Sequence, residues 1–161
     1  MRQILGPLLK TALFTIVVPG TVTIFVPHIL LNGNTAPGHG PLAWFGILVL
    51  ITGGAIYFVC AWEFAVRGLG TPAPIAPTKF LVVSGLHRYL RNPMYVGVFL
   101  VIVGQAAIFH SLRLAAYGMI CILIAHFFVM FYEEPTLHRQ FGASYNEYRN
   151  TVPRWIPRLR K

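Results

Sequence analysis

Two short stretches of this sequence hold most of the residues suited to chemistry. The first, Arg91-Asn92-Pro93-Met94-Tyr95, has the form of a helix start, because Asn92 can cap and Pro93 has no N–H to lose in the first turn. A helix N-terminus offers free N–H groups and the positive end of the macrodipole, so it favours an anionic group. The second, Glu133-Glu134-Pro135, closes an apolar run and contains two of the four acidic residues of the chain. Glutamates at a helix C-terminus oppose the dipole. They call for a compensating ligand or an arginine. His126 lies seven residues before Glu133, hence on about the same helical face and about two turns into the span. An ionisable side chain at that depth is a candidate for function, the plainer reading being an interhelical hydrogen bond. His126 and Glu134 are the candidate proton acceptors.

Metal chemistry is not expected. The six histidines form no HxxxH or HxxE pair, the spacing that would put two ligands on one helix face. Cys60 and Cys121 sit singly in apolar runs, without the CxxC spacing of a zinc or redox site.

The elements that must position these residues are membrane helices. Of 161 residues 56% are hydrophobic and 11% charged, with no aspartate, and the mean hydropathy is +0.65. A soluble domain carries about 25% charged residues to cover its surface. Stretches 11–31 and 42–62 contain no charge and are long enough to cross roughly 30 Å of hydrocarbon. Pro19, Gly20 and Pro27 should kink the first, which is tolerated where neighbours satisfy the freed carbonyls. The region 94–131 is too long for one span and breaks at His110-Ser111-Leu112-Arg113. It reads as a tight helical hairpin with two shortish arms. The expected fold is therefore an all-α integral membrane protein with four transmembrane helices. Residues 1–66 form two of them, and residues 67–161 hold the loop, the hairpin and a helical tail.

The formal net charge is +9, and its distribution points to topology and not to nucleic acid. With four spans, one side receives twelve of the thirteen basic residues and the other only Arg113. Basic loops stay in the cytoplasm, which places both termini and the 67–93 loop there. The connector 32–40 on the opposite side is uncharged and reads as plain linkage. Trp44, Trp62 and Trp155 fall near span boundaries and read as interfacial anchors. The arginine- and aromatic-rich stretch 139–157 reads as an amphipathic element on the membrane surface.

In the loop, Gly68-Leu69-Gly70-Thr71-Pro72-Ala73 formally matches a dinucleotide fingerprint. The strand that this motif requires before it is absent, and prolines interrupt the helix required after it. Pro72, Pro74 and Pro77 instead make a stiff extended segment. Lys79, Arg88 and Arg91 are by default positive-inside residues.

Three motifs, taken together, resemble the isoprenylcysteine carboxyl methyltransferase family and its phospholipid methyltransferase relatives. They are Gly68-x-Gly70-Thr71-Pro72-Ala73-Pro74, Leu81-Val82-x-x-Gly85-x-x-Arg88-Tyr89-x-Arg91-Asn92-Pro93-Met94-Tyr95, and Glu133-Glu134-Pro135-x-Leu137-x-x-x-Phe141-Gly142-x-x-Tyr145-x-x-Tyr148 with Val152-Pro153-Arg154. The match covers about residues 63–157. It implies methyl transfer from S-adenosylmethionine to a lipophilic acceptor, with a cofactor pocket formed by the cytoplasmic loop and the tail. Carried over by position, the cofactor contacts are Lys79, Phe80, Leu81, Val82, His87, Asn92, Pro93, Met94, Tyr95 and Glu133.

The chain departs from the family at His87, commonly tyrosine, and at Asn92, often histidine. It departs again at Val129, where the eukaryotic enzymes hold an acceptor-binding arginine. The last departure leaves the acceptor open as a carboxylate, an amine or a thiol. A carboxylate needs no base, whereas an amine or thiol needs one, for which His126 or Glu134 are candidates. Two other functions remain open. Membrane sterol reductases share the hairpin and tail and use NADPH, whose phosphate Lys79, Arg88 and Arg91 could bind. A non-enzymatic membrane subunit would use the basic tail for lipid or a partner. The sequence does not fix the oligomeric state. Glu133 and Asn92 should face one cavity if the tail folds back over the loop.

Overall fold

The computed structural model describes residues 2–33, 36–66 and 80–157, and among the described residues every regular element is helical. In chain order these are α1 (Arg2–Gly20), α2 (Val26–Leu31), α3 (Pro41–Val66), α4 (Pro93–Ile108), α5 (Leu112–Phe128), α6 (Glu134–Phe141) and α7 (Ala143–Thr151). Two π-helical turns, Thr21–Phe25 and Val129–Glu133, fuse α1 to α2 and α5 to α6. Lys79 and the Gly68 to Pro77 motif lie outside the described residues.

Proline explains both fusions. Pro27 has no N–H to give, so a carbonyl in the turn before it loses its helical donor, and the carbonyls of Val22 and Thr23 take side-chain donors. Tyr117 Oη donates to Val22 O at 3.0 Å and Gln105 Nε2 to Thr23 O at 2.7 Å. Side chains of α5 and α4 thus satisfy the carbonyls that the kinked first run exposes, and they dock that run on the bundle. Pro135 stands in the first turn of α6, immediately after the second π turn.

That turn corrects the expected helix end at Glu133-Glu134. The proline is absorbed by the wider turn, and an apolar helical run continues for 30 residues, Leu112–Phe141. The glutamates lie inside this run, so the unfavourable dipole invoked for them does not arise in that form.

Three helical runs are long and apolar enough to cross a membrane: Leu8–Leu31, Pro41–Val66 and Leu112–Phe141. α4 is apolar but has 16 residues, about 24 Å at 1.5 Å per residue. It packs most extensively on α3, through a seam of glycines that the sequence reading did not pick out. A Cβ added at Gly53 would lie 2.6 Å from Gly97 O, and one at Gly97 2.8 Å from Gly53 O. Gly46 and Gly104 repeat this reciprocity at 2.7 Å. The pairing 46 with 104 and 53 with 97 makes the two helices antiparallel. Small residues let membrane helices approach to backbone contact, where dispersion replaces the missing hydrophobic drive.

The break between α4 and α5 falls at residues 109–111. His110 adopts a left-handed φ of 47°, and Ser111 Oγ caps α5 by accepting from Leu114 N at 3.3 Å. Trp44 and Trp62 are exposed on α3, as anchors would be. Trp155 is not, and the tail does not lie free on a surface: Tyr145 and Tyr148 of α7 are buried.

Replacing Gly53 by leucine forces α3 off α4 and should cost about 1–3 kcal/mol by overpacking. Gly54 has nothing within 4 Å of an added Cβ, so Gly54→Leu should leave stability unchanged. Thermal unfolding of both variants in detergent checks the seam; equal melting temperatures would refute it.

Candidate functional site

The site assembles where the chain returns from residues 80–92, enters α4 and meets the end of the tail. Gly85 begins this return with a left-handed φ of 55°. A Cβ there would meet the Glu63 carboxylate of α3, and the left-handed backbone favours glycine at this position. His87, in the 3₁₀ turn Gly85–Arg88, is 4% exposed and sets Nδ1 3.3 Å from Glu63 Oε2. Burial holds the His87 ring below its ordinary basicity, against the opposing pull of Glu63. From the tail, Tyr148 Oη donates to His87 O at 2.7 Å. Burial also raises the phenols of Tyr145 and Tyr148 above their usual range.

A buried carboxylate joins loop, span and tail. Arg154 Nε donates to Glu134 Oε1 at 2.6 Å and Nη2 to Oε2 at 3.0 Å. Arg91 Nη1 approaches the same Oε1 at 3.0 Å and donates to Tyr145 Oη at 3.3 Å. The side chains of Glu134 and Arg91 are only 8% and 10% exposed. The hydrogen bonds to Glu134 raise the Arg154 guanidinium further above its ordinary value. Next to this cluster Arg91 N donates to Pro153 O at 2.9 Å, and Asn92 Nδ2 to Arg154 O at 3.2 Å. The tail therefore does fold back over the loop.

Asn92 occupies the N-cap position and Pro93 the first turn of α4, but the Asn92 side chain makes no capping bond. Its amide is turned to the tail, so the first turn of α4 carries no side-chain cap. Beside that turn Tyr95 Oη donates to Glu133 Oε2 at 2.9 Å. Trp155 packs edge-on to Tyr95 with ring centres 6.3 Å apart, and lies 6.1 Å from both Phe99 and His126. Its Nε1 donates to His126 Nδ1 at 3.1 Å. That bond makes Nδ1 an acceptor, which leaves the proton of a neutral ring on Nε2.

The structure thus brings together Asn92, Pro93, Met94, Tyr95, Glu133, Glu134 and His126 around the segment 153–155. Asn92 reaches that segment at Arg154 and Glu133 reaches it through Tyr95 and Trp155. Val82 is buried beneath the loop, Leu81 is half-buried and Phe80 is 60% exposed. His87 faces α3 and Glu63. Val129 is 1% exposed and packs as an apolar core residue. Neither described cavity is lined by Glu133 or Asn92: one is an apolar groove on α3 at Phe58, Trp62 and Glu63, the other lies at the far end of the bundle. The sequence reading missed the roles of Glu63, Trp155 and Arg154. Only the Val152-Pro153-Arg154 motif signalled the last of these.

Because burial lowers the basicity of His87 in the folded protein, the unfolded chain binds more protons around and below the ordinary histidine value of 6.5. Stability is therefore full above that pH and falls as the pH drops through and below it. Melting temperatures from about pH 7.5 to about 5 should fall less steeply in His87→Asn than in the parent; parallel curves would contradict the assignment. Removing Glu134 strands two guanidiniums, so Glu134→Ala should cost about 3–5 kcal/mol. Glu147→Ala, on an exposed position of α7, should stay within about 0.5 kcal/mol. Chemical unfolding in mixed micelles measures both.

The sequence model of a family described as phospholipid methyltransferase covers residues 42–144, more than half of the chain. No curated protein matches it.

Proposed function

The chain belongs to the phospholipid methyltransferase family, a family of membrane methyltransferases, and from that premise we propose that it transfers a methyl group from S-adenosylmethionine to a lipophilic acceptor. The observation that carries the pocket is the Tyr95–Glu133 bond beside the uncapped first turn of α4. These residues fit the cofactor. The amides of Met94 and Tyr95 suit its carboxylate, the Glu133 oxygen that Tyr95 leaves open suits its ammonium or ribose hydroxyls, and Phe80, Leu81, Val82 and Tyr95 suit its adenine. Lys79 belongs to this set by family position. His87, paired with Glu63, supports the loop from behind. When bound, the cofactor supplies an electrophilic methyl on a sulfonium.

The protein's part is alignment and exclusion of water, which suits a displacement that neutralises charge. Trp155, Phe99 and Tyr95 wall the place against water. His126 presents Nε2–H, so it positions an acceptor as a donor and takes no proton through that nitrogen in this tautomer. Glu134 is saturated by two arginines and holds the tail in place. With both candidate bases so engaged, the acceptor enters with its nucleophilic atom already unprotonated. Arg91 is likewise committed to Glu134 and Tyr145, which removes one of the three cations that an NADPH phosphate would use and favours the methyltransferase over the reductase.

The pocket and both termini lie on the cytoplasmic side in this reading, following the twelve-to-one division of basic residues and with α4 crossing as a fourth, short span. Residues 67–161 bear the pocket and residues 1–66 anchor it.

Transfer of labelled methyl from S-adenosylmethionine into membrane lipid tests the proposal. Glu133→Ala should lower kcat/KM about 10–100-fold, the worth of a charged hydrogen bond, with the fold retained. Full activity in that variant would dismiss the pocket, and lipid reduction by NADPH without methyl transfer would dismiss the activity.

A further inference from the structure

A chain with four glutamates and no aspartate has few partners to offer an arginine. All four glutamates lie toward the His87 end. Glu63 meets His87, Glu133 meets Tyr95, Glu134 meets Arg91 and Arg154, and Glu147 follows on α7. The antiparallel seam puts the other end of α3 beside the end of α4, where Gly38 N donates to Ile108 O at 2.7 Å. Arg113 stands at that far end, in the first turn of α5. It is exposed, and among the described residues it has no ion-pair partner. None of the four glutamates is within its reach, so an anion that pairs with it has to come from elsewhere.

Arg113 also lines an open cavity of about 470 Å³, together with Leu30, Asn32, Phe109, His110 and Ser111. The walls are held in place. The His110 ring lies so close on Gly38 that a Cβ there would come within 2.7 Å of it, and Ser111 Oγ is fixed by its bond from Leu114 N. The lining combines polar side chains with apolar ones, among them Leu112, which is 84% exposed. A free phosphate would use only the polar half. A phospholipid uses both, with its head on the donors and its chains along the leucines.

We propose that this cavity binds the phosphate headgroup of an anionic phospholipid in the leaflet at this end of the helices, with Arg113 as the counter-charge and Asn32, His110 and Ser111 as hydrogen-bonding groups. The site is separate from the methyl-transfer pocket and does not depend on it. Basic pockets between membrane helices bind anionic lipid head groups on the cytoplasmic side, and the same pairing of a cation with a phosphate applies at this end.

A photoactivatable phosphatidylglycerol, crosslinked to the full chain in detergent micelles and mapped by peptide, tests this site by site. Labelling should appear at the turn between α4 and α5. It should fall about fivefold in Arg113→Gln, the effect of one cation near a lipid phosphate, and return in Arg113→Lys, while labelling near exposed Arg88 at the other end stays constant. Labelling of the turn that is unchanged in Arg113→Gln would overturn the proposal. So would equal competition by phosphatidylcholine, which would remove the charge requirement, or displacement by inorganic phosphate, which would make the ligand a free anion.

Discussion

The Glu134 carboxylate, held out of water between Arg91 and Arg154, is the constraint on which the rest of the architecture at the His87 end of the bundle depends. A buried charge is tolerable only when its partners are in place, and here the partners come from two separate parts of the chain. The loop supplies Arg91, the tail supplies Arg154 and the long α5–α6 run supplies the carboxylate. Ordering any two without the third leaves an unpaired ion. Closure of the tail over the loop is therefore coupled to the membrane bundle, and the backbone bond from Arg91 to Pro153 records that closure.

Adjacent glutamates then serve different ends. Consecutive residues of a helix point about 100° apart, so the carboxylate that faces the arginines cannot also face α4. Glu133 takes that direction and meets Tyr95. The π turn that ends at Glu133 lets the run absorb Pro135 without breaking, which keeps both glutamates on one continuous rigid element. The same clasp sets Trp155, one residue beyond Arg154, against His126 and Tyr95. A wall of the proposed pocket thus follows from an ion pair that does no chemistry itself.

Much of this was legible from residue types. The apolar runs announced membrane helices, Asn92-Pro93 marked the start of α4, the break near His110 was placed, and the joint motifs pointed to the family. The freed carbonyls of the first run were expected to need partners, and Gln105 and Tyr117 supply them. What the sequence hid were effects of tertiary contact. Glycines seven apart in two helices, 46 and 53 against 97 and 104, show their meaning only when paired. Asn92 looks like a cap until the tail offers a carbonyl to its amide. Trp155 looks like an interfacial anchor until His126 offers a lone pair. Pro135 after two glutamates reads as a helix stop, and only the wider π turn carries the helix past it.

The central claim is that Glu133, set by Tyr95 beside the start of α4, binds the methyl donor. Calorimetric titration of the purified protein with S-adenosylhomocysteine tests it most directly. Binding to the parent protein should be saturable, and it should be lost in Glu133→Ala while thermal unfolding remains cooperative. Equal affinity in a folded Glu133→Ala would contradict it.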